Sequence, residues 1–155
     1  MLQIGIHYTD VLEYLVGPIT AVSARLAQLV LPGDNADVAS LVLEHANGAL
    51  STLNASYASA CEHYVMNIYG KEASAYYDLQ QGLRFLKRGA QGSEPVPLAK
   101  NDAIVEELEE FAAAARGGAR PEMDGERATA SLAVIRAGIE SAKEGRRVTV
   151  AEVLA

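Results

Sequence analysis

The stretch Asp37-Val38-Ala39-Ser40-Leu41-Val42-Leu43-Glu44-His45-Ala46-Asn47-Gly48-Ala49-Leu50-Ser51-Thr52-Leu53-Asn54-Ala55-Ser56-Tyr57 decides how the chain is built. Two runs rich in Val, Leu, Ser and Thr flank Asn47-Gly48. Asn-Gly is the pair that a two-residue type I′ hairpin turn favours, because both of its positions need positive φ. Such a loop sets His45 opposite Leu50, Leu43 opposite Thr52 and Leu41 opposite Asn54, with Val42 opposite Leu53 on the other face. Apolar residues then stand on both faces in mid-strand. A sheet with one wet face alternates more cleanly. The pattern therefore predicts a sheet covered on both sides, by helices on one and by another subunit on the other.

Working outward, residues 19–31 read as a preceding strand, entered through Gly17-Pro18 and left through Pro32-Gly33-Asp34-Asn35. Ahead of it, residues 2–16 read as a helix that Gly17-Pro18 stops. Downstream, residues 63–69 suit a strand. Residues 74–79 and 83–87 suit a hairpin through Gln80-Gln81-Gly82, and residues 89–98, with Pro95 and Pro97, suit a loop or edge strand. Asn101 or Asp102 can cap a helix with the stripe Ile104, Val105, Leu108, Phe111, Ala112 and Ala115, ended by Gly117-Gly118. Asp124 caps another, striped by Ala128, Leu132, Ile135, Ile139 and Ala142 and stopped at Gly145. Val148-Thr149-Val150 then forms a last short strand. The expected fold class is α+β: a largely antiparallel open sheet, helices packed on one face, the other face available for oligomerisation. Residues 1–155 are expected to make a single domain.

The composition narrows the function classes. The 155 residues carry a formal net charge of -7 and no basic cluster, so nucleic acid is not an expected partner. Cys61 is the sole cysteine, which excludes an internal disulfide and a thiolate zinc cage. His7, His45 and His63 have no metal-ligand spacing, so no metal is expected. No apolar run has membrane-spanning length and no signal-peptide core opens the chain. A cytoplasmic protein is the expectation, with no membrane partner.

One group of polar residues has a spacing that suggests chemistry. On the opening helix Gln3, His7, Asp10 and Tyr14 fall three or four residues apart and share a face. An imidazole between an amide and a carboxylate can accept a proton at neutral pH. His45 and His63, on strands, read as surface or interface residues. The run Glu106, Glu107, Glu109 and Glu110 reads as the solvated face of its helix. The tyrosines at 57, 64, 69, 76 and 77 read as sheet-surface packing, with sugar stacking as the functional alternative.

The words of the opening helix also carry a resemblance. Leu2-Gln3-Ile4-Gly5-Ile6-His7-Tyr8-Thr9-Asp10, followed by Leu12-Glu13-Tyr14-Leu15-Val16-Gly17-Pro18, resembles the first helix of the C-terminal domain in the Gfo/Idh/MocA oxidoreductases. Residues 68–74 are loosely similar to that family's Gly-Thr-x-Gly-x run. Arg120-Pro121, Asp124-Gly125-Glu126, Leu132-Ala133-Val134-Ile135, Ser141-Ala142 and Gly145-Arg146-x-Val148 resemble its ending. The two ends bracket essentially the whole chain.

The resemblance implies an NAD(P)-dependent oxidoreductase acting on a sugar or cyclitol hydroxyl. It implies that His7 is the catalytic residue at that hydroxyl, and that Gln3 and Asp10 bind substrate or orient the ring. The family often has Asp where this chain has Gln3, and an amide cannot act as a base. No Gly-x-Gly-x-x-Gly occurs, and the family's Glu-Lys-Pro motif is absent. The chain is thus expected to hold no dinucleotide-binding domain and no cofactor of its own, with NAD(P) implied for the full-length family. Met1 opens directly onto the helix, as expected of the tail of something longer. The expected partners are a second copy of the chain, as a homodimer or higher homo-oligomer through the sheet, and a separate chain bearing the Rossmann domain. A non-catalytic oligomeric or ligand-binding module is the alternative. A third reading, a cofactor-free lyase or isomerase with His7 as base, lacks an electron sink.

Overall fold

The structure is a computed structural model that describes residues 2–155, with side chains from Gly5 onward; Met1 and the side chains of Leu2, Gln3 and Ile4 lie outside the described residues. In chain order the elements are α1 (Leu2–Val16), β1 (Ile19–Ala27), β2 (Val38–His45), β3 (Leu50–Ser56), β4 (Val65–Tyr69), β5 (Ala73–Asp78), β6 (Gly82–Lys87), β7 (Glu94–Pro95), α2 (Ala103–Ala115), α3 (Gly125–Glu144), β8 (Val148–Thr149) and α4 (Val150–Leu154). The class is α+β, as expected. The strands divide into two open antiparallel sheets, ordered β3-β2-β1-β8 and β4-β5-β6-β7. The chain forms two compact units, Met1–Ser59 with Arg120–Ala155, and Ala60–Ala119.

The first unit is built on the β2–β3 hairpin, and its register differs from the one read above. Glu44 pairs with Leu50, Leu43 with Ser51, Val42 with Thr52 and Leu41 with Leu53. The Gly48 amide donates to the His45 carbonyl and the His45 amide to the Ala49 carbonyl. The loop is therefore three residues, Ala46-Asn47-Gly48, with only Gly48 at positive φ (86°). This is a type I turn closed by a left-handed glycine, the other hairpin that Asn-Gly serves. A one-residue slip exchanges the faces of one strand relative to the other. Leu53 accordingly joins Leu41 and Leu43 in the core, and the opposite face loses it. Opposite the core lie Ser40, Val42, Thr52 and Asn54, with the Ser40 hydroxyl donating to Asn54 Oδ1 at 2.7 Å; Val42 and Leu50 are the exposed large apolar residues there.

The core joins Ile19, Val22, Ala24, Leu41, Leu43 and Leu53 of the sheet to Val134 and Ala137 of α3 and Val148 of β8. Burying such side chains contributes about 25 cal/mol per Å² of apolar area. α3 packs along β1, and α1 packs on α3 and β3. β8 pairs only with Ala21 and Val22. Beyond it the buried Ser141 hydroxyl takes over the edge, accepting from the Ala24 amide at 2.9 Å and donating to the Arg146 carbonyl at 2.5 Å.

β1 stops at Ala27, short of the expected Leu31. The buried Asp37 carboxylate accepts from the amides of Leu29, Val30 and Leu31 at 2.8, 2.8 and 2.7 Å, which turns those residues out of the strand. The Leu31 and Val30 amides, then that of Leu29, hold its pKa below the ordinary aspartate value. Val150, expected to end the last strand, instead begins α4, which opens on a capping box: Glu152 Oε1 accepts from the Thr149 amide at 2.8 Å while Thr149 Oγ1 accepts from the Glu152 amide.

The second unit has regular elements and no core. β5 and β6 turn through residues 79–81, where Asp78 Oδ1 accepts from the Gln80 and Gln81 amides at 2.8 and 3.0 Å. Asp102 caps α2, accepting from the Ile104 and Val105 amides. Yet every residue from Ala60 to Ala119 is half-buried or exposed. The α2 stripe stands in the open, with Ile104 64%, Leu108 62% and Phe111 67% exposed.

Candidate functional site on the opening helix

α1 ends where Gly17 takes φ +112°, a conformation that side-chain-bearing residues avoid, and its amide closes on the Glu13 carbonyl. The helix is tied down on two sides. Glu13 accepts from the Ile19 amide through Oε1 and from the buried Ser131 hydroxyl of α3 through Oε2. The tip of the β2–β3 hairpin grips the same C-terminal end: Asn47 Nδ2 donates to the Val16 carbonyl at 2.7 Å, and the Ala46 amide donates to the Pro18 carbonyl.

His45 belongs to that grip. The sequence places it at the surface or an interface; in the fold it is 4% exposed. Its Nδ1 lies 2.6 Å from the Gly17 carbonyl and its Nε2 2.8 Å from Ser51 Oγ. A carbonyl only accepts, so Nδ1 carries the proton and, in the neutral ring, Nε2 accepts from Ser51. The hairpin folds over the α1–β1 corner and covers the ring, a tertiary event with no local signal. His63 is exposed, as expected.

Held this way, α1 presents a polar face. His7 is exposed and Tyr14 is exposed. Gln3, the third residue expected on that face, has its side chain outside the described residues. Asp10 is half-buried and turned to α3: Arg127 Nη2 donates to Asp10 Oδ1 at 2.9 Å. The same guanidinium stands 5.5 Å from the Tyr14 ring centroid and donates through Nη1 to the Glu122 carbonyl. A cation over an aromatic face is attracted by the ring quadrupole. Nothing in the sequence marks Arg127 for this place. It lies 117 residues from Asp10, and no local pattern links them. Its placement comes from the Asp124 cap, whose Oδ1 accepts from the Glu126 and Arg127 amides and so starts α3 with Arg127 in its first turn.

A pyrophosphate needs free amides at a helix N-terminus following a strand. At α2 and α3 those amides are taken by the carboxylates of Asp102 and Asp124, which would repel it. The Arg127 amide, the Glu126 amide and the Arg120 guanidinium keep Asp124 below its ordinary pKa, hence anionic. Among the described residues no three His, Cys, Asp or Glu side chains gather for a metal, and no described helix is long and apolar enough to cross a membrane. In the second unit Tyr64 stacks on Tyr77 at 5.6 Å and Tyr69 meets Tyr76 edge-on at 6.1 Å, so these rings spend part of their faces on one another.

Residues 1–76 match the family described as the GFO/IDH/MocA C-terminal domain. The chain is 30% identical to a D-apiose dehydrogenase from Paraburkholderia graminis, over 94% of its own length and 43% of that protein. It superposes, with a TM-score of 0.90 and 26% identity, on a protein from Desulfitobacterium hafniense assigned as an NADPH-dependent oxidoreductase, covering 99% of this chain and 48% of that one. The WlbA dehydrogenase from Bordetella pertussis, solved with NADH and UDP-GlcNAcA, shares the fold at a TM-score of 0.80 and 24% identity, over 95% of this chain and 45% of that one. The chain thus spans about half the length of the proteins it matches.

Proposed function

We propose that this chain, which belongs to the GFO/IDH/MocA C-terminal domains, is the substrate-binding and oligomerisation half of an NAD(P)-dependent oxidoreductase acting on a sugar or cyclitol hydroxyl. The observation that carries the reading is the polar face of α1. His7 is open to solvent there while its neighbours Asp10 and Tyr14 are fixed by Arg127. An exposed imidazole on a pinned helix can accept the proton of a bound hydroxyl, the step a dehydrogenase asks of its substrate side. The sugar class is suggested by the D-apiose dehydrogenase relative. The dinucleotide belongs to a Rossmann domain, on the same or a separate chain, because the helix N-termini capped by Asp102 and Asp124 are closed to it.

Association as a homodimer or higher homo-oligomer through the open face of the first sheet is part of the same reading. Val42 and Leu50 supply its apolar contribution, and light scattering at micromolar concentration tests it.

The reading is tested by histidine-selective nuclear magnetic resonance of this chain during titration with D-apiose and with myo-inositol. With three histidines, substitution of His7 assigns its signal. The His7 ring is expected to move with one of these polyols, and His45, buried, to stay. A His7 signal that neither polyol moves overturns the reading. Calorimetry with NADH and NADPH is expected to give no micromolar binding to this chain alone.

A non-catalytic module is the second reading, favoured by Gln3, which stands where the family often has Asp, since an amide cannot act as a base. It predicts that His7→Asn leaves polyol binding unchanged, whereas the first predicts a loss of about tenfold or more.

A further inference from the structure

We propose that Arg127 is a positioning residue that reserves His7 for substrate by taking the carboxylate of Asp10 away from it. The inference rests on the substrate-side reading of α1 and assigns a role to a residue outside that helix.

His7 and Asp10 stand three residues apart on α1, the spacing at which helical side chains meet. An Asp so placed can accept from an imidazole Nδ1–H and occupy the ring. In this chain it does something else. Its Oδ1 receives Arg127 Nη2 at 2.9 Å, with both side chains about a quarter exposed, at 31% for Arg127 and 21% for Asp10. The guanidinium is held in turn from other directions. Its central carbon stands 5.5 Å from the Tyr14 ring centroid, its Nη1 donates to the Glu122 carbonyl, and its own backbone amide is pinned by Asp124. Competing carboxylates on the neighbouring turn are already engaged: Arg120 pairs with both Asp124 and Glu126. Arg127 is thus a fixed cation aimed at one carboxylate, and its charge-assisted bond outcompetes a neutral imidazole for it. Asp10 stays with α3, and the His7 ring is left free toward solvent, where a hydroxyl would arrive.

A merely structural clamp would hold α1 on α3 without bearing on the ring, so the decisive readout is on His7. The test uses imidazole N–H signals of the whole chain, at low temperature, in the wild type, Arg127→Lys, Arg127→Gln and the double variant Arg127→Gln/Asp10→Asn. Arg127→Gln is expected to show a new, solvent-protected downfield His7 N–H as Asp10 turns to the ring. Arg127→Lys, which keeps the charge, should look like the wild type, and the double variant should lose the signal. D-Apiose affinity of Arg127→Gln should fall about tenfold as the ring is occupied. If Arg127→Gln does not fold, Arg127→Met, whose stem still covers Tyr14, carries the same test. A folded charge-neutral variant whose His7 ring signals coincide with the wild type would overturn the proposal, as would a new signal that survives Asp10→Asn. The N–H signal needs no ligand. Failure of the wild type to respond to any polyol would count against the substrate reading alone.

Discussion

The two units of this chain have equally regular secondary structure and unequal interiors. Both use the same local devices: hairpins closed by a left-handed glycine at Gly48 and Gly82, and helices capped by Asp102 and Asp124. Every fully buried apolar side chain among the described residues nevertheless lies in the first unit, from Ile19 to Leu53 and from Ala133 to Val148. The second unit, Ala60–Ala119, buries none. Local signals suffice to shape strands and helices. They do not supply the apolar burial that makes a unit resist unfolding, since hydrogen bonds and caps contribute about 1 kcal/mol each and a buried Leu several.

The largest expected effect separates the units directly. Leu43, fully buried between sheet and α3, should cost about 2–5 kcal/mol when cut to Ala. Phe85→Ala on β6 removes a larger side chain, but one that is exposed, and should cost less than about 1 kcal/mol. Urea titration followed by circular dichroism measures both. Equal losses would mean that the second unit has a core of its own, and the comparison would be broken.

The next effect lies in buried polar groups. His45→Ala leaves the Gly17 carbonyl and the Ser51 hydroxyl without their partner and should cost about 1–3 kcal/mol. His63→Ala, at an exposed position, should stay within about 0.5 kcal/mol. Loss of His45 should also loosen the α1–β1 corner, seen as faster amide exchange at Gly17 and Ala46.

Acid should act on the first unit through several depressed carboxylates. Backbone and side-chain bonds to Thr149, then Arg146, hold Glu152 at a pKa of about 2 against an ordinary 4.5. Asp37 is lowered by the Leu31, Val30 and Leu29 amides, and Glu44 by Arg147, whose Nε and Nη2 reach its two oxygens at 2.6 and 2.7 Å. A group whose folded pKa is depressed stabilises the fold above its unfolded value, and that contribution is lost as pH falls through the folded value. For Glu152 the window runs from 4.5 down to about 2. The amide resonances of Leu29, Val30 and Leu31 should move together with Asp37, at a midpoint below an ordinary aspartate's. In the second unit Asp78, lowered by the Gln80 and Gln81 amides, should disturb only its own turn.

Legibility in the sequence followed the same division between local and tertiary causes. The stop of α1 at Gly17-Pro18, the caps Asp102 and Asp124, the stop at Gly145 and the β5–β6 hairpin were all readable, because each is decided within a few residues. Asn47-Gly48 does not settle the loop length, since both hairpin types use that pair, and the loop has three residues where the pair suggests two. The one-residue slip puts Leu53 in the core and leaves Val42 and Leu50 as the exposed large apolar residues on the opposite face of the hairpin. Thr149-x-x-Glu152 is a capping box legible in the sequence, and it makes residues 150–154 a helix. The site divided likewise. The helix bearing His7 was legible by resemblance, but Arg127, the burial of His45 and the reach of Asp37 to three amides depend on what the fold brings near, and no spacing along the chain announces them.

The smallest expected effect is the sharpest check on the second unit. α2 has a clean stripe at 104, 108 and 111, the pattern by which a helix normally announces its buried face. Here those residues are about two-thirds exposed, so the stripe contributes little to the stability of this chain. Phe111→Ser and Ile104→Ser should therefore each change unfolding free energy by no more than about 0.5 kcal/mol. Removing an exposed apolar side chain also removes area that water disfavours, so any self-association mediated by the stripe should weaken. Sedimentation of the two variants beside the wild type, with urea titrations on the same samples, measures both quantities. A loss above about 1.5 kcal/mol for either would show that the stripe is buried in solution, and the second unit would then have a core after all.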